Sequence, residues 1–278
     1  MTETVVCAAV QMNARESLDA NLAQARALIA EAVEAGARLV VLPENLMQMG
    51  RRERDKLAIA EAAGDGPAQA FLAGQAREHG ICLVGGSVFL RADPDHVIAA
   101  CLAWGPDGGL LARYDKMHLF DVDVDEGESY RESASIRAGE GPPVVFSFGG
   151  ARIGLSICYD LRFPELYRAL ARDGAEILLV PAAFTHRTGS AHWQPLLQAR
   201  AIENLCAVVA PNQCGESAAG RRTWGHSSVI GPWGETLAML GESTGVAKAT
   251  VNLKELRALR RRFPALDHRL PDARWLDP

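Results

Sequence analysis

Arg152-Ile153-Gly154-Leu155-Ser156-Ile157-Cys158-Tyr159-Asp160-Leu161-Arg162-Phe163-Pro164-Glu165 is an apolar run that delivers a thiol to a corner and continues, after a proline, into an amphipathic segment. Arg152 to Ile157 has the length and composition of a buried strand, and Pro164 suits the first turn of a helix. A strand feeding a helix is the building unit of α/β folds, and side chains at that corner stand where a rigid scaffold meets substrate. Cys158 therefore occupies the place that a serine holds in a nucleophile elbow, although the G-x-S-x-G pattern is absent. Such a sulfur is expected to be exposed at the sheet edge. The Tyr159 N–H follows it near a helix start, where positive potential favours both a thiolate and an oxyanion. A buried structural cysteine is the competing reading of this stretch taken alone.

Working outward, the same alternation of apolar runs and amphipathic segments fills the chain. Val5 to Gln11 reads as a strand, with a helix carrying Leu18, Leu22, Ile29 and Val33 up to Gly36 and a strand from Arg38 to Leu42. Phe71 to Glu78 followed by Ile81 to Phe89 repeats the unit. Hairpins are predicted for Val97 to Trp104 with Leu110 to Tyr114, for Val144 to Phe148 with Arg152 to Ile157, and for Ser227 to Ile230 with Thr236 to Leu240. Helices are expected from Pro164 to Arg172 and from about Ala191 to Asn204, with strands at Ile177 to Val180, Ala207 to Ala210 and Gly245 to Val251, then a basic terminal helix. No repeat or low-complexity linker interrupts this order, so residues 1–278 are expected to form one α/β domain.

Composition narrows the classes. With 48% hydrophobic and 23% charged residues the chain can bury a deep core, which excludes a disordered protein. A net charge of −5, with basic residues concentrated only at Arg257 and Arg260 to Arg262, leaves no footprint for a nucleic-acid backbone. The start, Met1-Thr2-Glu3-Thr4, lacks a basic n-region and a long apolar stretch, so neither secretion nor a membrane is expected and the expected location is the cytoplasm. The six cysteines form no C-x-x-C pair, and Cys7, Cys82, Cys101 and Cys206 read as small apolar core residues.

Two further strand ends carry reactive groups. In Leu39-Val40-Val41-Leu42-Pro43-Glu44-Asn45 a carboxylate follows a buried strand, where apolar surroundings favour a general base. Alone, an acid there is more often a cap or a solvated loop residue. In Tyr114-Asp115-Lys116-Met117-His118-Leu119-Phe120 the lysine offers a positive charge for a transition state, against the plain alternative of an exposed ammonium. His118 reads as a hydrogen-bonded structural histidine.

Taken together and in order, Leu42-Pro43-Glu44, Asp115-Lys116-x-His118-Leu119 and Ile157-Cys158-Tyr159-Asp160-x-Arg162-Phe163-Pro164-Glu165 resemble the Glu-Lys-Cys motifs of the nitrilase, or carbon-nitrogen hydrolase, superfamily. Pro181-Ala182-Ala183-Phe184, Arg200-Ala201-Ile202-Glu203-Asn204 and Gly225-His226-Ser227 extend the resemblance over nearly the whole chain. It implies a four-layer α-β-β-α sandwich, a homodimer, no metal and no cofactor. It also implies Glu44 as base, Cys158 as nucleophile, and Lys116 with the Tyr159 N–H as stabilisers of an oxyanion. A second glutamate sixteen positions past the lysine, here Glu132, would hold the lysine, with Glu126 and Glu128 as neighbouring alternatives.

Within that family, Lys116 to Val124 and Gln213-Cys214-Gly215 are similar to the branch that hydrolyses deaminated glutathione to 2-oxoglutarate and cysteinylglycine. The resemblance leaves ω-amidase activity on 2-oxoglutaramate, a nitrilase and a non-catalytic scaffold as alternatives. Typical nitrilases carry Trp where Tyr159 stands, and the intact triad opposes the scaffold. An anionic substrate calls for a cation near the sulfur. Arg162 is the first candidate, with a structural bridge to Glu165 as the rival role, and Thr185 and Arg187 are further candidates.

Overall fold

The computed structural model describes residues 3–125, 128–217 and 220–270. In chain order β1 (Thr4–Gln11), α1 (Leu18–Glu34), β2 (Leu39–Val41), α2 (Pro67–His79) and β3 (Cys82–Val84) form two β-α-β units. Then come β4 (Val88–Arg91), β5 (Val97–Trp104), β6 (Leu110–Asp115) and a small hairpin of β7 (Asp121–Asp125) and β8 (Glu128–Arg131). β9 (Val145–Phe148), β10 (Ala151–Leu155), α3 (Pro164–Arg172), β11 (Ile177–Leu179), α4 (His186–Asn204) and β12 (Ala207–Ala210) repeat the β-α-β pattern. β13 (Cys214–Glu216), β14 (Arg222–Trp224), β15 (Ser228–Ile230), β16 (Thr236–Met239), β17 (Gly245–Asn252) and α5 (Leu253–Arg262) complete the described chain.

Thirteen of these strands make two large sheets, and β13 pairs with β14, as β7 does with β8, in a separate two-stranded hairpin. One large sheet has seven strands in the order β17-β1-β2-β3-β5-β4 with β6 on β5, and the other has six in the order β16-β15-β12-β11-β10-β9. In the first, Ala8, Val10, Val40 and Leu83 face Ile29 of α1 and Leu72 of α2. The alternate residues Cys7, Ala9, Val41 and Val84 join one core with Ile153, Leu178 and the α3 and α4 side chains Tyr167 and Trp193. Period-two alternation thus buries both faces of each central strand, which is why β1, β2, β10 and β12 read as nearly unbroken apolar runs. The order of layers is α-β-β-α, as expected. Among the described residues no helix is long and apolar enough to cross a membrane.

Two boundaries differ from the sequence reading. Ile81 to Phe89 splits into β3 and β4 because the chain turns at Gly86, whose φ is +59° and where a Cβ would stand 2.0 Å from the Pro43 oxygen. α4 begins at His186 rather than Ala191, since the Thr185 hydroxyl caps it by accepting from the Thr188 N–H. Gly189 does not break that helix; it makes room for Trp224, with a Cβ there only 2.3 Å from the Trp224 Cβ.

Candidate active site

Parallel strands place their carboxyl ends together, and a crevice forms outside them. β2 ends just before Glu44, β10 before Cys158, β11 before Ala183 and β12 before Gln213, so both sheets contribute to one end of the sandwich. Lys116 arrives from β6, with its N–H bonded to the Ala99 oxygen of β5. Glu44, Lys116, Glu132, Cys158, Tyr159 and Thr185 line a single cleft.

At its floor the Lys116 Nζ lies 2.7 Å from Glu44 Oε1 and 2.8 Å from both oxygens of Glu132. Glu44 Oε2 accepts the Ala183 N–H at 3.0 Å, and Glu132 Oε2 accepts the Phe120 N–H at 2.7 Å. The carboxylate of Glu44 is therefore met by a cation and an N–H, not by apolar surroundings alone. The Cys158 sulfur interacts with the Glu44 carboxylate and the Ala183 N–H. Glu126 lies outside the described residues, as does the side chain of Glu128.

Burial would by itself lower the Lys116 pKa, but Glu132 and Glu44 outweigh it and hold the ammonium well above the ordinary lysine value. Cys158 is driven the other way: burial, then the Glu44 charge, raise its thiol well above the usual value, offset in part by Lys116. Two carboxylates against one ammonium leave this floor negative, and the resting sulfur is a thiol. This corrects the weight given to positive potential at a helix start, while a thiol whose proton Glu44 takes is the form expected. Cys158 opens a five-residue 3-10 turn (Cys158–Arg162), and so short a turn carries little dipole. It also corrects the expected exposure, since Cys158 is 9% exposed.

The corner itself is strained. Cys158 has φ +48°, in the left-handed region that a side chain disfavours. Its N–H is held by the Pro181 oxygen at 2.9 Å, while the Tyr159 N–H has no acceptor among the described residues. Asp160, fully buried, fixes the corner: it accepts from the Ile157 N–H at 2.7 Å, the Tyr114 hydroxyl at 2.8 Å, and His118 through Nδ1 at 2.7 Å and the backbone at 3.2 Å. It thereby ties the segment bearing Cys158 to the segment bearing Lys116. His118, stacked on Phe163 with centroids 3.7 Å apart, is structural, as its setting suggested.

Arg162 does not line this cleft. Its guanidinium rests 3.3 Å from His192 Nδ1 and over the rings of Phe184 and Tyr159, lining an adjoining recess together with Arg187. Aromatic faces on that side draw the planar cation away from the sulfur. The cleft's own cations are Arg52, Lys56, Lys116, Arg221 and Arg222, five against the three carboxylates of Glu44, Glu53 and Glu132. Glu53 pairs with Lys56 and, at 2.7 Å, with Arg221. The rim residues were not singled out from the sequence, and Ala183, Asp160 and Gln213 entered there only as parts of motifs, without a role of their own. Gln213 donates to the Glu44 carbonyl at 2.8 Å and accepts the Ala14 N–H at 2.9 Å, so it sets the backbone that carries Glu44.

Residues 7–261 match the family described as carbon-nitrogen hydrolase. A Synechocystis deaminated glutathione amidase is 47% identical over 95% of this chain and 98% of its own length. The human omega-amidase is 34% identical over 95% of each chain. Among solved structures, the Caenorhabditis elegans NitFhit protein superposes with a TM-score of 0.90 at 36% identity, over 98% of this chain, which spans 66% of that longer one.

Proposed function

The chain belongs to the carbon-nitrogen hydrolase family, and we propose that within it the protein is a cysteine-dependent amidase that cleaves deaminated glutathione to 2-oxoglutarate and cysteinylglycine. The observation that carries this reading is the meeting of the Cys158 sulfur, the Glu44 carboxylate and the Lys116 ammonium at the floor of one cleft.

The chemistry follows from the protonation states. Because the sulfur rests as a thiol beside Glu44, the carboxylate takes its proton as the sulfur attacks the amide carbonyl. The tetrahedral oxyanion is met by the Tyr159 N–H and by Lys116, whose three N–H groups leave one over when Glu132 shares a single hydrogen between its oxygens. Glu44 returns the proton to the amine nitrogen as the C–N bond breaks, leaving a thioester. It next takes a proton from water, whose attack on the thioester releases the acid, and passes that proton back to the sulfur. Glu132 orients Lys116 and moves no proton.

Thr185, lining the cleft, contacts the acyl portion in this reading, whereas Arg162 and Arg187 border the neighbouring recess and carry none of it. The second reading, ω-amidase activity, draws on the 34% identity to the human omega-amidase. A panel of deaminated glutathione, 2-oxoglutaramate, a simple aliphatic amide and a nitrile, compared by kcat/KM, decides between them. Preference for 2-oxoglutaramate would overturn the first reading and support the second.

The same reading takes the chain as one catalytic domain working as a homodimer in the cytoplasm. Six free, buried thiols suit a reducing compartment, and the exposed Trp233 and Phe263, whose rings meet edge to face, suit an apolar contact between copies. Sedimentation equilibrium giving a monomer at micromolar concentration would overturn the dimer.

A further inference from the structure

The cleft holds more positive charge than the chemistry at its floor uses. Lys116 is matched twice over by Glu44 and Glu132, so the excess lies at the rim, where Arg52, Lys56, Arg221 and Arg222 line the cleft and Lys56 and Arg221 pair with Glu53. Lys56 is consumed by Glu53 and is only 12% exposed. Arg221 is different: one Nη bonds Glu53 at 2.7 Å and its guanidinium carbon lies 4.9 Å from the Tyr130 ring centre, so its plane is held with donors to spare. Arg222 reaches only Glu242, at 3.6 Å, with both side chains more than half exposed, a contact that costs little to give up.

Arg222 opens β14 and Arg221 directly precedes it, and that strand is anchored to the floor. β14 is registered there by the bridge of Thr223 to Thr185 and by the Trp224 N–H on the Phe184 oxygen at 3.0 Å. Phe184 follows Ala183, whose N–H touches Glu44, so the chain climbs from the reacting atoms to Arg222 and Arg221 at the mouth. In acyl transfer the acyl group stays on the buried sulfur while the amine leaves toward solvent. An amine that leaves toward solvent passes this rim.

We propose that Arg221 and Arg222 form a subsite for a carboxylate carried by the leaving amine, so that the enzyme selects amides charged on both sides of the scissile bond. The inference rests on the amidase reading above and deepens it: a cysteinylglycine leaving group ends in such a carboxylate, and ammonia does not. The Arg forks supply charge-assisted, directional donors, and their field draws a dianion to a protein whose net charge is −5.

The test compares deaminated glutathione with its C-terminal carboxamide, identical except for that one charge. Wild type is expected to prefer the carboxylate by roughly 10- to 100-fold in kcat/KM, chiefly through KM. In Arg221→Ala and Arg222→Ala the ratio between the two substrates falls severalfold, and because it is a ratio within one enzyme, any loss of folded protein cancels. Arg221→Lys, which keeps the charge and the Glu53 pair but not the fork, gives an intermediate ratio. A wild-type ratio near one, or a ratio unchanged in both alanine variants, overturns the subsite while leaving the amidase reading intact. Cleavage of 2-oxoglutaramate with no turnover of either test substrate overturns the substrate reading itself, and the subsite with it.

Discussion

Glu44 Oε1 and Lys116 Nζ are 2.7 Å apart in side chains 4% and 1% exposed, and the same carboxylate faces the Cys158 thiol. A base that is already paired with a cation can still take a proton, because the ammonium at its other side remains bound to Glu132 throughout. The arrangement keeps the nucleophile protonated until substrate arrives, and the following outcomes depend on it.

Replacing Glu44 by Gln should separate reactivity from catalysis. The Glu44 charge raises the Cys158 pKa and Lys116 lowers it, so removing only the former lowers the pKa and increases thiolate at neutral pH. Iodoacetamide should label Cys158 slowly at pH 7 in the wild type, with the rate still climbing at pH 9, and faster at pH 7 in Glu44→Gln. Amidase kcat/KM in the same variant should fall by about 100-fold or more, for want of a base. Slower labelling in the variant would contradict the assignment of Glu44 as the group that holds the thiol proton.

Lys116→Met should be costly to the fold as well as to the reaction. It strands two buried carboxylates side by side, and breaking a buried pair from one side costs on the order of 3–5 kcal/mol. Lys116→Met combined with Glu132→Gln removes one of the stranded charges and should regain part of the lost melting temperature but none of the activity. Recovery of turnover in the double variant would show that Lys116 is structural only.

Asp160→Asn keeps the shape of a side chain onto which four donors converge, yet turns an amide NH2 toward some of them. About 1–3 kcal/mol of stability should be lost. Because this residue links the Cys158 corner to the Lys116 segment, kcat should drop by about tenfold at nearly constant KM, and Asp160→Glu should not rescue it. A KM effect alone would place Asp160 in substrate binding.

At Gly86 a single methyl is enough. Its φ of +59° disfavours any side chain, and a Cβ would sit 2.0 Å from the Pro43 oxygen, one residue before Glu44. Gly86→Ala should lower stability by roughly 2–4 kcal/mol and reduce kcat by displacing Glu44, while Gly64→Ala, with open space around its Cβ, should cost less. Equal melting temperatures for the two variants would refute the close approach.

Much of the fold was legible because both faces of the central strands are buried, so length and apolarity marked β1, β10, α3 and β12 to within a residue or two. Boundaries set by long-range packing were not. The turn at Gly86 answers to Pro43, and the early start of α4 to a Thr185 cap and a Trp224 contact. Strands β13 and β14 have three residues each, too few to show an alternation, whereas β7 does alternate Asp with Val but over only five residues with the aspartates Asp121 and Asp123 exposed.

The chain's order of residues determined which strand ends carry a carboxylate, an ammonium and a thiol, since each motif is a local pattern of a buried run closed by a turn. Folding alone decided how those groups act on one another. Proton affinity depends on distance and on exclusion of water, so burial and the nearby Glu44 charge raise the sulfur's pKa, a shift that no local motif carries. The same holds for the cations: Arg162 turned aside onto aromatic faces, while Arg221 and Arg222, remote in sequence, came to the mouth of the cleft.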